Sequence, residues 1–231
     1  MPLSLYCGGL QVKVFNRICS ILVIFTAAAA ILTASQNLLF RSAEVYGFYF
    51  NDSSAVSRVY TELTSSEMAD KIAGFMNSWR PDKFEILEDT GYDMENVFDE
   101  EEGVNMMAAK RALDISGIIC IISLILTVSI YVYFLRNKKK KVLADMFKVS
   151  MVLVLAGIVS ETALMATNSG RIRAMEILGM IDLGKDSQIT ILLGADFFNM
   201  AAIFLIALTV IATGVCAYIN YVLTKPPRIF Y

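Results

Sequence analysis

The sequence predicts an all-α, polytopic membrane protein with four transmembrane helices and a small helical extracytoplasmic cap. Three observations carry this. Four apolar stretches, 18–40, 115–135, 149–167 and 197–223, are each long enough to cross ~30 Å of hydrocarbon at ~1.5 Å per residue. Apolar residues make up 56% of the chain, too many for an ordinary soluble domain. The charges between the stretches also sort by sign.

That sorting orients the chain. Residues 136–148 hold six basic residues against Asp145 alone, with Arg136-Asn137-Lys138-Lys139-Lys140-Lys141 as a cationic hairpin. Residues 41–112 hold fifteen of the twenty-two acids against seven basic residues. Lys and Arg near span ends stay on the cytoplasmic side. The hairpin is therefore expected in the cytoplasm, and 41–112 and 168–196 outside. An even span count puts both termini, 1–17 and 224–231, inside. Each terminal segment carries two basic residues and no acid, Lys13 with Arg17 and Lys225 with Arg228. The expected location is a bacterial cytoplasmic membrane, crossed four times.

The first stretch follows Lys13 and Arg17 like a signal peptide and contains Ala30-Ile31-Leu32-Thr33-Ala34-Ser35. It continues through Leu38, Leu39 and Phe40, so an uncleaved helix is expected. Cys7 falls inside and Cys19, Cys120 and Cys216 fall in spans, so no disulfide framework is expected.

The 41–112 block has the pattern of a helical cap. Thr64-Ser65-Ser66-Glu67 reads as a capping box. Met68, Ile72, Phe75, Met76 and Trp79 then fall on one helical face, which Pro81 ends. Val56, Val59, Tyr60 and Leu63 suggest another helix over 53–63. A third begins at Asp99, where Asp99-Glu100-Glu101-Glu102 supplies a cap and charges suited to a helix start, and it runs into the second span. Tyr46, Phe48, Tyr49 and Phe50 fit an aromatic interfacial belt.

The acidic run 89–102 matches an EF-hand register poorly. Asp89, Asp93, Glu95 and Glu100 fall at ligand positions, but Gly91 stands at a ligand position and Met94 at the required glycine. No metal and no cofactor is expected. Asn51-Asp52-Ser53 matches a glycosylation acceptor, a tripeptide common by chance.

Ionisable residues inside spans point to function. Glu161 is the one that lies well within a span, roughly 20 Å from Lys148 at ~1.5 Å per residue, in the outer third of the bilayer. The structural alternative is a pair with Arg171, Arg173, Lys110 or Arg111. Asn199 and Asn220 read as interhelical glue. Lys110, Arg111, Arg171 and Arg173 are candidates for lipid headgroups, and snorkelling is the structural alternative for Lys110 and Arg111. The chain has no histidine, so a zinc-hydrolase or Ser-His-Asp site is excluded. Catalysis, if any, falls to Glu161, Glu176 or a lysine such as Lys110.

Three stretches carry a resemblance to a family of bacterial membrane proteins that includes the lipoprotein intramolecular transacylases. Glu62–Trp79 resembles that family's amphipathic helix. Val97–Lys110 resembles a segment with an apolar and acidic lead followed by His-Met-x-Asp-Val-Lys. Leu193-Gly194-Ala195-Asp196-Phe197-Phe198-Asn199-Met200-Ala201 is similar to its leucine-proline-acid-Phe-Phe entry to the fourth span. The resemblance implies four spans and transfer of an acyl chain from a lipoprotein's diacylglyceryl group to its N-terminal cysteine amine. The family's histidines fall here on Asn105 and near Met175, with Glu176 following, and the acid accompanying the first falls on Ala108. The reading is a divergent or inactive relative that binds lipid or lipoprotein at the outer face. An active acyltransferase on Glu161, Glu176 and Lys110 is the enzymatic alternative, so whether the chain is an enzyme stays open. A non-enzymatic partner of another membrane protein is the third reading. Membrane lipids and lipoproteins are the expected partners, and nucleic acid is not.

Overall fold

A computed structural model describes residues 3–79, 83–89, 94–184 and 186–225, with side chains described from residue 13 onward except at position 89. Among these residues four helices are long and apolar enough to cross a membrane. They are α1 (Leu3–Arg41), α4 (Glu100–Arg136), α5 (Lys140–Ala166) and α8 (Ala195–Thr224). The cap elements are α2 (Ala43–Ser53), α3 (Ser65–Asn77) and the strands β1 (Leu87–Asp89) and β2 (Met94–Asn96). Between α5 and α8 lie α6 (Asn168–Leu178) and the single turn α7 (Gln188–Leu192). The all-α reading holds, with one short hairpin added.

The chain divides into two compact units. One comprises residues 1–34, 118–158 and 209–231. It packs Cys19, Val23, Ile130, Phe134, Leu143 and Met146 together, and separately Ala28, Ile31 and Val154. Polar side chains join its helices: Thr127 Oγ1 donates to Thr26 Oγ1 at 2.8 Å, and Tyr131 Oη donates to Asn220 Oδ1 at 3.2 Å. Such bonds are useful in hydrocarbon because a polar group has no water there. Asn220 thus joins helices as expected. A Cβ on Gly157 would run into the end of the Leu32 side chain, so Leu32 of α1 packs directly over this glycine of α5.

The other unit comprises 35–117 and 159–208 and contains the cap. The α3 capping box forms as predicted: Thr64 Oγ1 accepts from Glu67 N at 3.3 Å, and Glu67 Oε2 accepts from Thr64 N at 2.9 Å. These bonds hold the Glu67 carboxyl below its ordinary pKa, the backbone bond from Thr64 most and its side-chain bond next. The start of α4 repeats the device. Asp99 Oδ1 accepts from Glu102 N at 2.7 Å, and Glu102 Oε2 accepts from Asp99 N at 3.0 Å.

Several local expectations are corrected. No helix spans 53–63: Ser54 enters the left-handed region at φ 51°, one 3-10 turn covers Val56–Arg58, and Tyr60 is 89% exposed. Ser53 explains the break. Its hydroxyl donates to Tyr49 O and accepts from Ala55 N, competing with helical backbone bonds. Tyr46, Tyr49 and Phe50 are buried rather than interfacial. Their spacing makes one face of α2, and that face closes on Phe197 of α8, against which Tyr46 stacks at 5.5 Å. Phe48 alone of the four is exposed, edge-on to Phe204. Trp79 lies beyond the end of α3 and is 88% exposed, and Pro81 lies outside the described residues. Of the EF-hand register, Gly91 and Asp93 lie outside the described residues, while Glu95 pairs with Glu88 across the hairpin.

Candidate functional site

The sequence singles out Asn105, Lys110, Glu161, Arg171, Arg173, Met175 and Glu176, and all belong to the cap-bearing unit. They do not converge on one cavity.

Asn105 is 5% exposed and grips a loop backbone. Its Nδ2 donates to Ile181 O at 2.7 Å, and its Oδ1 accepts from Ile181 N at 2.7 Å. One turn earlier, Glu102 is buried, and its Oε1 accepts from Ser187 Oγ at 2.5 Å and from Ile189 N at 3.1 Å. The start of α4 therefore fastens the connection between α6 and α7 at two points, by side chains three residues apart on one helical face. Sequence reasoning marked Glu102 only as a cap residue. Its second role has no local signal because its partners lie more than eighty residues away.

Lys110 is buried, with its ring neighbour Phe75 5.8 Å from Nζ. The ammonium donates to Met76 O at 3.2 Å and Ser78 O at 2.8 Å, and stands 3.4 Å from Asp114 Oδ2. Arg41 meets the same groups from α1: it is 2.6 Å from Asp114 Oδ1 and also donates to Met76 O. Helix α3 has no basic residue in its last turn, so two cations from other helices serve the carbonyls at its C-terminal end. An ammonium has three donors, and these three groups use them all.

The same polar line continues toward Glu161. Arg41 Nε donates to Asn37 Oδ1 at 3.0 Å, Asn37 Nδ2 donates to Ser116 Oγ at 3.2 Å, and Ser116 Oγ donates to Gln36 Oε1 at 2.9 Å. Gln36 hydrogen-bonds the Glu161 carboxyl. Glu161 Oε2 is buried and has no hydrogen-bond partner. Among the described residues, no cation pairs with Glu161. Arg171 instead donates to Met165 O at 2.8 Å.

Arg111, Arg173 and Glu176 are exposed, and Met175 is half-buried. A groove of about 440 Å³ at the α5–α6 junction is lined by Ser160, Ala163, Leu164, Thr167, Ser169, Gly170 and Arg173. Asn105, Lys110, Glu161 and Glu176 do not line it. Gly170 makes the junction tight, since a Cβ there would meet the Leu164 backbone at 2.7 Å. Among the described residues, no three His, Cys, Asp or Glu side chains gather to hold a metal.

No protein-family model matches the chain, and no curated protein matches it by sequence. Solved structures do. The membrane-integral lipoprotein intramolecular transacylase Lit from Bacillus cereus is similar at a TM-score of 0.72 and 14% identity, covering 92% of this chain and 97% of its own. Two variants of that protein, with a histidine replaced by alanine or by arginine, are similar at the same TM-score and identity. They cover 96% of this chain, and 97% and 96% of theirs. At 14% identity this likeness is one of fold. The chain therefore has the membrane fold of the lipoprotein intramolecular transacylases, the proteins its sequence resembles.

Proposed function

We propose that this chain is a bacterial membrane protein that uses the transacylase fold to bind lipid or lipoprotein at its outer face without transferring an acyl chain. In this reading the 41–112 cap and the α6–α7 connection lie outside, and the 136–148 loop and both termini lie in the cytoplasm. The carrying observation is the Asn105–Ile181 clamp. Aminolysis of an ester needs one group to take the amine proton and one to protonate the departing glycerol oxygen. An amide does neither, and Asn105 has each end of its side chain bound to backbone. Lys110 has its three donors occupied, and Glu176 lies exposed on α6.

Expression in a host that makes diacylglyceryl lipoproteins tests this. Lipoprotein masses are expected to stay unchanged while lipoprotein copurifies with the chain. Accumulation of the N-acyl lyso form would overturn the reading. It would favour an acyltransferase that uses Glu161, whose unpartnered oxygen is the one observation supporting that route. Glu161→Gln would then abolish the lyso form. The orientation has its own test. A cysteine replacing Lys139 should resist an impermeant thiol reagent in intact cells, and ready labelling would reverse the topology.

A further inference from the structure

The groove at the α5–α6 junction lies where a membrane-length helix ends. Helix α5 stops at Ala166, Thr167 caps α6 by accepting from Gly170 N at 3.1 Å, and α6 leads away through Arg171 and Arg173. Two features make this place unlike an ordinary surface crease. First, α6 exposes Ile172, Ile177 and Leu178, with Ile177 at 81%, while carrying Arg173 and Glu176 as its exposed charges. A short helix between two spans with bare isoleucines and a flanking cation has the character of a segment resting in the headgroup layer. Second, the groove is chemically divided. Ala163 and Leu164 form an apolar wall, and Ser160, Thr167, Ser169 and Arg173 supply the polar groups.

Of the four candidate headgroup cations, Arg111 and Arg173 are exposed without a protein partner among the described residues, and Arg173 is the one that lines the groove. Arg171 is engaged by Met165 O, Arg41 by Asp114 and Met76 O, and Lys110 by Asp114 and two carbonyls. The Arg173 side chain makes no hydrogen bond or ion pair with any described residue. A guanidinium presents a planar fork of donors that suits phosphate oxygens. A volume of about 440 Å³ accommodates a headgroup and the first part of a chain, with the remainder left in the bilayer.

We propose that this groove is a binding site for a single anionic phospholipid, its phosphate on the Arg173 guanidinium and its proximal acyl chain along Ala163 and Leu164. The proposal deepens the lipid-binding reading and rests on it, but assigns a site that the Asn105 and Glu161 machinery does not touch.

The test uses the full chain purified in detergent, with dioctanoyl phosphatidylglycerol, dioctanoyl phosphatidylcholine and inorganic phosphate as probes in native mass spectrometry. One phosphatidylglycerol is expected to be retained, at least tenfold more tightly than phosphatidylcholine. Arg173→Glu and Ala163→Trp should each lower its affinity at least tenfold, the first by reversing charge and the second by filling the groove. Arg173→Lys should keep part of it. Both positions are exposed, and an unchanged Tm establishes that each variant is folded. Undiminished phosphatidylglycerol binding in either Arg173→Glu or Ala163→Trp would overturn the site. Equal retention of phosphatidylcholine would do the same, and inorganic phosphate competing as well as the lipid would show an anion site without a chain. Lipoprotein copurification by a chain that shows no preference for phosphatidylglycerol would sink the groove alone and leave the broader reading standing.

Discussion

Asn105 Nδ2 and Oδ1 hold the carbonyl and the amide of Ile181 at 2.7 Å each, so one side chain on α4 takes the place of a strand partner for a loop residue. Both backbone groups would be left short of a partner if the amide were removed. Asn105→Ala is therefore expected to cost about 1–3 kcal/mol, the desolvation scale of an abandoned buried polar group. Asn105→His restores the residue type of the resembled pattern, yet an imidazole cannot reproduce the two-sided grip in one plane. Both variants should lower the Tm and speed exchange of the Ile181 amide. Unchanged exchange in either would show that the clamp is dispensable. Lyso-lipoprotein formed by Asn105→His alone would mean that the scaffold retains its chemistry.

Asp114 stands between two cations, Arg41 at 2.6 Å and Lys110 at 3.4 Å, and Lys110 is buried while Asp114 is 44% exposed. Removing the acid leaves two neighbouring positive charges without a counter-ion. Removing Lys110 leaves only carbonyls, one of which Arg41 still serves. Asp114→Ala should therefore destabilise more than Lys110→Met, for which about 1–3 kcal/mol is expected. Combining them should cost less than the sum, because the methionine removes the cation that the missing acid exposes. Thermal unfolding of the four proteins in one detergent measures the coupling, and strict additivity would contradict the shared-counter-ion arrangement.

The four spans were legible because hydrocarbon imposes a length and a composition that few other structures satisfy. The α3 and α4 caps were legible because capping boxes are local, with both partners three residues apart. What stayed hidden depends on distant partners. Tyr46, Tyr49 and Phe50 look interfacial until Phe197 arrives from α8, and Lys110 looks like a snorkelling cation until the end of α3 lies beside it. The resemblance located Asn105, but nothing adjacent to it announces Ile181.

The Glu67 cap gives the chain an acid-sensitive point. Its carboxyl lies below its ordinary pKa of 4.5 because it accepts bonds from Thr64. A folded pKa below the unfolded one means that the cap's contribution is complete above about pH 4.5. It is lost as pH falls through the lowered folded value. The first turn of α3 should loosen in that window, seen as faster amide exchange at Glu67 and Met68. Glu67→Gln should flatten this pH dependence locally. Persistence of the full dependence in that variant would assign the transition to another carboxyl.

Tyr46 ties α2 to both α1 and α8, and its chemistry makes the tie sensitive to alkali. Its hydroxyl donates to Phe40 O at 2.9 Å, and its ring lies within 3° of parallel to Phe197. Burial raises the phenol above its ordinary pKa, against a smaller opposing pull from Arg41. A raised folded pKa means that the neutral phenol's contribution is fully present below the ordinary tyrosine range and is lost as pH climbs through the folded value. Tyr46→Phe keeps the stack and should cost about 1 kcal/mol, the net worth of one hydrogen bond, while removing this alkaline sensitivity. Tyr46→Ala should cost about 3–5 kcal/mol through the lost ring. A double-mutant cycle with Phe197→Leu should give a coupling of about 0.5–1.5 kcal/mol beyond area burial. A coupling near zero would mean that the two rings merely fill space side by side, and that the cap is held to α8 by the remaining aromatics alone.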